Sequence, residues 1–450
     1  MVCVFVKYVL KFKVEENKTK KWFRGGIMLL YYKFENFMSF RENVEFSMLA
    51  PKTKVKNRFP NNYASIDNGI DVLKTAVIVG ENAGGKSNFV RSIGYLQSFF
   101  KETDSARSYN NTINAYNNSN FCPQEKNTLQ TFDIEILLKE SGIYHYHLEV
   151  DFFGVVKESL YFKEQIKNKE QLVLSVERNI QSLNCKKDKA ECTTYKACHT
   201  DVEMEYSMDI PDFESELETY LEQAANKHKP LGLTIIKLAM LGNEYAINFT
   251  EWMKEYLCPE TNIINYDIYK SMRNEEEDLR ILHDSRYLDI FRMIDYSIID
   301  FKLDAEKPFS KTLIVRRSKD GSTFTRELGQ DSSGVREFFA WAVQIFKVVY
   351  ENKIVFADEM DRVLNPVLSD RVISFICGKK HLGQFIFTTH NVLHLNLKNY
   401  MKEQIYFITK DIETLESELY SLADFPEIRY ETNKIYEFYM KGILGGTAIE

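Results

Sequence analysis

The segment Gly80-Glu81-Asn82-Ala83-Gly84-Gly85-Lys86-Ser87 matches GxxxxGK[ST] in full and follows the apolar run Ala76-Val77-Ile78-Val79. A buried strand therefore hands over to a helix through a Gly-rich loop, which commits the chain to an α/β layout. Glycines at such a turn let successive backbone N–H groups converge on phosphate oxygens. Lys86 supplies charge for the β- and γ-phosphates, and the Ser87 hydroxyl is a hard oxygen ligand for magnesium. Beyond the loop, Phe89, Val90, Ile93, Leu96 and Phe99 share one face at helical spacing, predicting a helix from Asn88 to Phe100 whose N-terminus points at phosphate. Gly80 to Ser87, with Asn88, are the candidate nucleotide-binding residues.

At 450 residues and 44% hydrophobic content the chain can bury a large core and has room for two or three domains. A net charge of -7 argues against a surface that clings everywhere to nucleic acid, while leaving room for a local basic groove. Seven cysteines, without disulfide-like regularity, in a chain that needs nucleotide predict reduced thiols and a cytoplasmic location. Met1 to Leu10 are apolar but lead into a charged stretch without a small-residue cleavage site, so no signal peptide is expected. No run approaches the roughly 18 apolar residues of a membrane span, so a membrane would be met only through a partner. One encoding of Arg24-Gly25-Gly26-Ile27-Met28 contains a purine-rich ribosome-binding sequence, which makes Met28 the expected start. An ordinary N-terminal arm is the alternative for residues 1–27.

Leu29 to Phe40 and Val44 to Met48 read as two strands of a hairpin that should lead the sheet carrying the Gly-rich loop. Residues 103–128, rich in Asn, Ser and Thr, read as a surface loop. Thr131 to Leu138 and Ile143 to Phe153 follow as an antiparallel pair. From residue 162 to 300 the pattern becomes charged and helical, notably at Phe213 to Lys227, Thr234 to Leu241, Phe249 to Leu257 and Arg286 to Tyr296. A β-rich stretch from Phe301 to Phe324 then returns the chain to the core. The expected division is an extension at 1–27, one half of a nucleotide-binding head at 28–161, a mainly helical insertion at 162–300 and the second half of the head at 301–450.

Three further elements complete the expected site. Lys353-Ile354-Val355-Phe356-Ala357-Asp358-Glu359 is a short apolar strand ending in two carboxylates, with Asp358 on the metal side and Glu359 as candidate base for an attacking water. Asp331-Ser332-Ser333-Gly334 opens a helix from Glu337 to Tyr350 and offers a hydroxyl and free amides to an anion through Ser332 and Gly334. Gln384 to Thr389 is another buried strand, delivering His390 at its end towards the γ-phosphate or the water.

In this order the four elements resemble the head of ATP-binding-cassette ATPases of the SMC and RecF kind. The resemblance rests on Gly80 to Ser87, the signature-like Asp331 to Gly334, the Walker B strand Ile354 to Glu359, Leu364-Asn365-Pro366 in the D-loop region and the switch histidine His390. Asn36-Phe37-Met38-Ser39-Phe40, Gln404-Ile405-Tyr406-Phe407, Leu422-Ala423-Asp424-Phe425 and Tyr439 to Gly446 are similar to bacterial ABC-type ATPases of anti-phage and abortive-infection systems such as AbiL, RloA and the ATPase of PARIS. The resemblance implies an α/β ABC-ATPase head, a mixed sheet with flanking helices plus an antiparallel β subdomain, carrying an inserted lobe. It also implies ATP and Mg2+ as ligands, with Ser87 and Asp358 on the metal and Lys86, Glu359 and His390 catalytic. Ser332 and Gly334 would face the γ-phosphate held by another copy, giving a homodimer or higher homo-oligomer built on composite ATP sites. The signature departs from Leu-Ser-Gly-Gly-Gln, Asn365 stands where relatives often carry histidine, and Gln124 and Gln130 are the Q-loop candidates.

The leading function is an anti-phage ATPase that senses infection, with a nucleic acid or phage protein as trigger. It would control an effector encoded nearby, a Toprim- or HNH-like nuclease, since the chain shows no nuclease constellation of its own. A DNA-repair or chromosome-maintenance ATPase is the alternative, although the insertion lacks sustained heptads. A scaffold that clamps ATP without turnover is the third reading. Cys185, Cys192, Cys198 and His199 lack the close Cys pairs of zinc sites, and His145 and His147 are neighbours by strand alternation alone. Lys52, Lys54, Lys56 and Arg58 read as a solvated basic loop or a nucleic-acid contact.

Overall fold

The computed structural model describes residues 27–66, 69–101, 129–138, 142–151, 154–165, 167–183, 202–211, 217–220, 232–260, 275–360, 362, 364–431 and 435–445. The N-terminal arm before Ile27, the expected loop at 103–128, Gln124 and the group Cys185, Cys192, Cys198 and His199 lie outside the described residues.

In chain order, β1 (Ile27–Glu35) and β2 (Val44–Ser47) form the expected antiparallel hairpin, with Tyr31 opposite Ser47 and Phe34 opposite Val44. A small hairpin of β3 (Tyr63–Ile66) and β4 (Ile70–Leu73) precedes β5 (Thr75–Gly80), which runs through the Gly-rich loop into α1 (Lys86–Lys101). Five strands follow: β6 (Gln130–Leu138), β7 (Gly142–Asp151), β8 (Gly154–Lys163), β9 (Gln171–Leu183) and β10 (Val202–Asp209). Helices α2 (Thr234–Met240) and α3 (Glu244–Glu255), strand β11 (Leu257–Glu260) and helices α4 (Glu275–Leu282) and α5 (Ser285–Phe291) come next. Then follow β12 (Ile298–Lys302), α6 (Pro308–Lys311), β13 (Leu313–Arg317), β14 (Thr323–Glu327), α7 (Ser333–Glu351), β15 (Ile354–Ala357) and α8 (Pro366–Gly378). Strands β16 (Gln384–Thr389), β17 (Ile405–Lys410) and β18 (Ser417–Ser421) and helix α9 (Ile435–Met440) complete the chain.

Two large sheets organise these elements. One has the order β11-β15-β16-β5-β17-β18, parallel throughout except for β18. The other is antiparallel with the order β10-β9-β8-β7-β6-β1-β2. The fold is therefore α/β, a mixed sheet with flanking helices plus an antiparallel β subdomain, as the resemblance implies. Strand alternation explains how the mixed sheet is covered. Ala76, Ile78, Ile354, Phe356, Ile386 and Ile408 join a core shared with α1 and the antiparallel sheet, whereas Val77, Val79, Val355, Phe385, Phe387 and Phe407 join a second core built on α7 and α8. Both faces are covered along β5, β15 and β16, so these strands read as largely apolar runs. The apolar face of α1 closes with Phe100 where Phe99 was expected.

Three expectations change. The β1–β2 hairpin leads the antiparallel sheet and not the sheet of β5; side chains link it to that sheet, Gln384 accepting from Leu29 N at 2.6 Å and donating to Leu29 O at 3.0 Å, and Tyr406 OH accepting from Ser47 N at 3.1 Å and donating to Ser47 O at 2.9 Å. The expected helical lobe does not start at residue 162, because β8, β9 and β10 extend the antiparallel sheet. A sheet with one solvated face carries polar residues at alternate positions, as with Glu177 and Asn179, and here the inward position between them is also charged, Arg178 being buried against Asp151 at 2.6 Å, so the stretch resembles a polar helix. The stretch after Phe301 does not rejoin the mixed sheet; β12, β13 and β14 make a three-stranded sheet of their own. Among the described residues no helix is long and apolar enough to cross a membrane.

Candidate nucleotide site

Parallel order brings the C-terminal ends of β5, β15 and β16 side by side, and each end carries one of the expected motifs. The loop after β5 is shaped by close approach. A Cβ on Gly80 would collide with the carbonyl oxygen of Ile408 on β17, and Gly85 has φ +118°, with Ser417 Oγ and Ser39 Oγ at 2.6 and 3.0 Å from where its Cβ would stand. Only glycine satisfies both conditions at Gly85. Ala83 is also left-handed, at φ +60°. Two hydroxyls brace this loop: Ser417 Oγ donates to Gly84 O at 2.7 Å, and Ser39 Oγ accepts from Asn88 Nδ2 at 2.9 Å.

Lys86 starts α1 and turns its ammonium back over the loop, donating to Glu81 O at 2.7 Å and Gly80 O at 3.0 Å. It is 4% exposed. Burial lowers its pKa to about 8 against the opposing pull of Glu359, Asp358 and Glu81. His390 Nδ1 lies 3.4 Å from Lys86 Nζ, and His390 Nε2 lies 3.1 Å from Glu359 Oε1. Since an ammonium only donates and a carboxylate only accepts, these partners select the neutral Nε2–H tautomer of His390. The three side chains therefore form one chain, Lys86 to His390 to Glu359.

Asp358 ends β15 and is buried. Burial raises its pKa, opposed by hydrogen bonds from Ser87 and Thr388. Thr388 was not foreseen as a site residue. Its hydroxyl donates to Asp358 Oδ1 at 2.8 Å and accepts from Glu359 N at 2.9 Å, so one fully buried oxygen sets both acids. Glu359 has φ +49°, a conformation that costs a non-glycine residue roughly 1–3 kcal/mol and needs such an anchor. Thr389 points instead to its own turn, accepting from Asn391 N at 2.8 Å.

A hydroxyl and a carboxylate brought together, Ser87 and Asp358, are the donor set that magnesium takes from a protein when phosphate oxygens and water complete its shell. The residues present fit that ion. Among the described residues no group of three or more His, Cys, Asp or Glu is placed to hold a metal unaided.

Ser332 and Gly334 are not drawn into this cluster. Ser332 caps α7, its Oγ accepting from Val335 N at 3.4 Å and its N–H donating to Asp331 Oδ1 at 2.9 Å. The turn is held by Arg316, which pairs with Asp331 at 2.7 Å and Asp295 at 3.0 Å, while Ser332 stays exposed. Asn365 caps α8 by accepting from Leu368 N at 2.9 Å, ahead of Pro366 at the first helical position. Gln130 is buried and donates to Asn36 O at 3.0 Å, tying β6 to the turn after β1.

His145, His147, Lys56 and Arg58 each face a carboxylate. His147 Nδ1 lies 2.8 Å and His145 Nε2 3.3 Å from Asp133 Oδ1, and His147 Nε2 lies 2.9 Å from Glu149. Burial works against the His147 charge, but Asp133 and Glu149 raise its pKa overall. In the basic run, Lys56 pairs with Asp71 and Arg58 with Glu431.

Residues 212–396 match the family described as "AAA domain, putative AbiEii toxin, Type IV TA system". The matched stretch takes in the Ser332 turn, Asp358, Glu359 and His390 and leaves the Gly-rich loop outside. It bears out the resemblance to ATPases related to abortive-infection systems. No curated protein matches the chain in sequence. Solved structures similar to it include an Smc head bound to the C-winged helix domain of ScpA, 13% identical, covering 87% of this chain and 97% of that one at a TM-score of 0.38. An Smc head with an extended coiled coil from Pyrococcus furiosus, bound to the C-terminal domain of ScpA, is 14% identical over 88% of this chain and 96% of that one, with a TM-score of 0.40. The SMC head domain from Thermotoga maritima is 12% identical over 87% and 98%, with a TM-score of 0.39.

Proposed function

We propose that this chain is an ATPase that hydrolyses ATP to ADP and phosphate and works as a nucleotide-driven switch in bacterial anti-phage defence. The observation that carries the hydrolytic part is the chain Lys86–His390–Glu359, set against Asp358, Ser87 and Thr388 at the ends of three adjacent strands. In this reading the loop amides from Gly80 to Ser87 and the Lys86 ammonium hold the phosphates. Glu359 takes a proton from the attacking water, and His390, as the Nε2–H tautomer, orients the Glu359 carboxylate. Bound at Ser87 and Asp358, magnesium would supply Lewis-acid charge on the phosphate oxygens.

The exposed Ser332 and the half-buried Gly334 belong to the same proposal. A hydroxyl and free amides at a helix N-terminus form an anion contact, and the Ser332 hydroxyl meets Val335 N at 3.4 Å, longer than an ordinary cap bond. A second copy would present them to the phosphate held by Lys86, so that ATP closes a homodimer and hydrolysis reopens it. The head would take in β8, β9, β10 and β11 as well as 28–161 and 301–450, which leaves the variable lobe to the other residues between β10 and β12. The abortive-infection character of the matched family supports a defence role with a separate effector, a nuclease encoded nearby, and a phage protein or nucleic acid as trigger. Phage plating on cells carrying wild type or Lys86→Ala tests that role: equal plating removes ATP from the mechanism, while loss of protection supports it.

A further inference from the structure

At the edge of the mixed sheet where β5 and β16 begin, an open cavity of about 660 Å3 is lined by residues that include Lys74, Lys379, Lys380, His381, Asn61 and Ser65. No described residue of that lining carries a carboxylate, although the net charge of the chain is -7. The length of β5, six residues, separates it from Gly80 by about 20 Å at the usual strand rise. It is a different place from the nucleotide site.

Lys74 is built into the wall. It is 6% exposed, and its ammonium donates to Cys377 O at 3.2 Å and Lys379 O at 2.9 Å at the C-terminal end of α8. Two of its three N–H groups are thereby used and one remains for another acceptor. Burial lowers the Lys74 pKa, so an anion beside it would restore the charge that burial disfavours. His381 contributes no charge at neutral pH: its Nε2 donates to Ile376 O at 2.7 Å, and burial lowers its pKa to about 4. Lys379 and Lys380 are exposed at the rim.

The positive charge is local. In the basic run just before Asn61, Lys56 is taken by Asp71 and Arg58 by Glu431 at 3.5 Å, and Ser65 Oγ also donates to Asp71. A nucleic-acid backbone needs a continuous basic track. Here three lysines line one cavity, with Lys379 Nζ resting 5.0 Å from the centre of the Phe375 ring, and the cavity volume lies within the roughly 300–1,000 Å3 usual for small ligands. We propose that this cavity is a second anion site, distinct from the P-loop, which takes a small, multiply charged phosphorylated ligand of mononucleotide size on Lys74, Lys379 and Lys380.

The test is calorimetric titration of inorganic pyrophosphate and AMP into the full chain carrying Lys86→Ala, and into the same chain carrying Lys379→Glu and Lys380→Glu as well. Saturable binding to the first protein that weakens with salt and falls about tenfold or more in the second supports the site. Absence of saturable binding to the first protein, or equal binding to both, overturns it. Tighter binding of a 20-nucleotide oligothymidine than of pyrophosphate, lost on the same charge reversal, also overturns it and makes the cavity a nucleic-acid contact. Thermal melts confirm that the rim substitutions leave the fold intact. ATP binding by Lys379→Glu/Lys380→Glu with Lys86 restored separates a failure here from a failure of the P-loop reading.

Discussion

Replacing Thr388 by valine keeps the volume of a fully buried side chain and removes one oxygen. That oxygen makes two bonds, to Asp358 Oδ1 at 2.8 Å and from Glu359 N at 2.9 Å. Losing the bond to a charged acceptor costs about 1.5–3 kcal/mol, and leaving a buried N–H unmade costs about 1–3 kcal/mol. Glu359 holds φ +49° with that N–H engaged. Once it is free, the residue gains by relaxing towards negative φ, which carries its carboxylate away from His390. The chemistry should suffer more than the binding, because Lys86 and the loop from Gly80 to Ser87 are untouched. Expected values are a kcat reduced about 10–100-fold, equivalent to about 1.4–2.8 kcal/mol, with KM for ATP within about threefold of wild type. Thr388→Ser, which keeps the hydroxyl, should recover most of the rate. Steady-state phosphate release and thermal melts of the three proteins supply the comparison. Wild-type turnover and an unchanged melting temperature in Thr388→Val would refute the reasoning.

Two pH effects follow from buried groups. Lys86, with a pKa lowered to about 8 by burial, must be protonated to hold phosphate, so ATP affinity measured calorimetrically from pH 7 to 9.5 should weaken above about 8, by up to about tenfold per pH unit; a flat profile contradicts this. Glu158 on β8 is fully buried and receives Thr234 N at 2.6 Å, Ile235 N at 3.2 Å and Tyr146 OH at 3.0 Å, yet burial raises its pKa to about 7. A carboxyl whose folded pKa lies above its unfolded value contributes stability that is full below about 4.5 and is lost as pH rises through about 7. Melting temperatures of wild type should therefore fall from pH 5 to pH 7.5 more steeply than those of Glu158→Gln, and parallel curves would count against the assignment.

The residues of the candidate nucleotide site were legible in the sequence because each stands at the end of an apolar run, and a parallel sheet puts such ends together. Gly80 to Ser87, Asp358, Glu359 and His390 all belong to that class. Thr388, Ser39 and Ser417 were not legible as site residues, since each acts through one hydroxyl whose partner lies far along the chain or across a strand. Asn36 to Phe40 stood out as a resemblance, but only the geometry gives Ser39 its contact with Asn88. Strands β9 and β10 were lost for a different reason: with one solvated face, their charged positions outweigh the alternation of Leu172, Leu174 and Val176. The β1–β2 hairpin was read correctly as a hairpin and assigned to the wrong sheet, because local pattern specifies a strand and not its neighbour.

Turnover of ATP by wild type and by Glu359→Gln, measured with magnesium under single- and multiple-turnover conditions, bears most directly on the central claim. The account predicts measurable hydrolysis by wild type, a loss of about 100-fold or more in Glu359→Gln, and retention of bound ATP by the variant. Equal, near-zero rates in both proteins would contradict it and leave a chain that clamps ATP without using it.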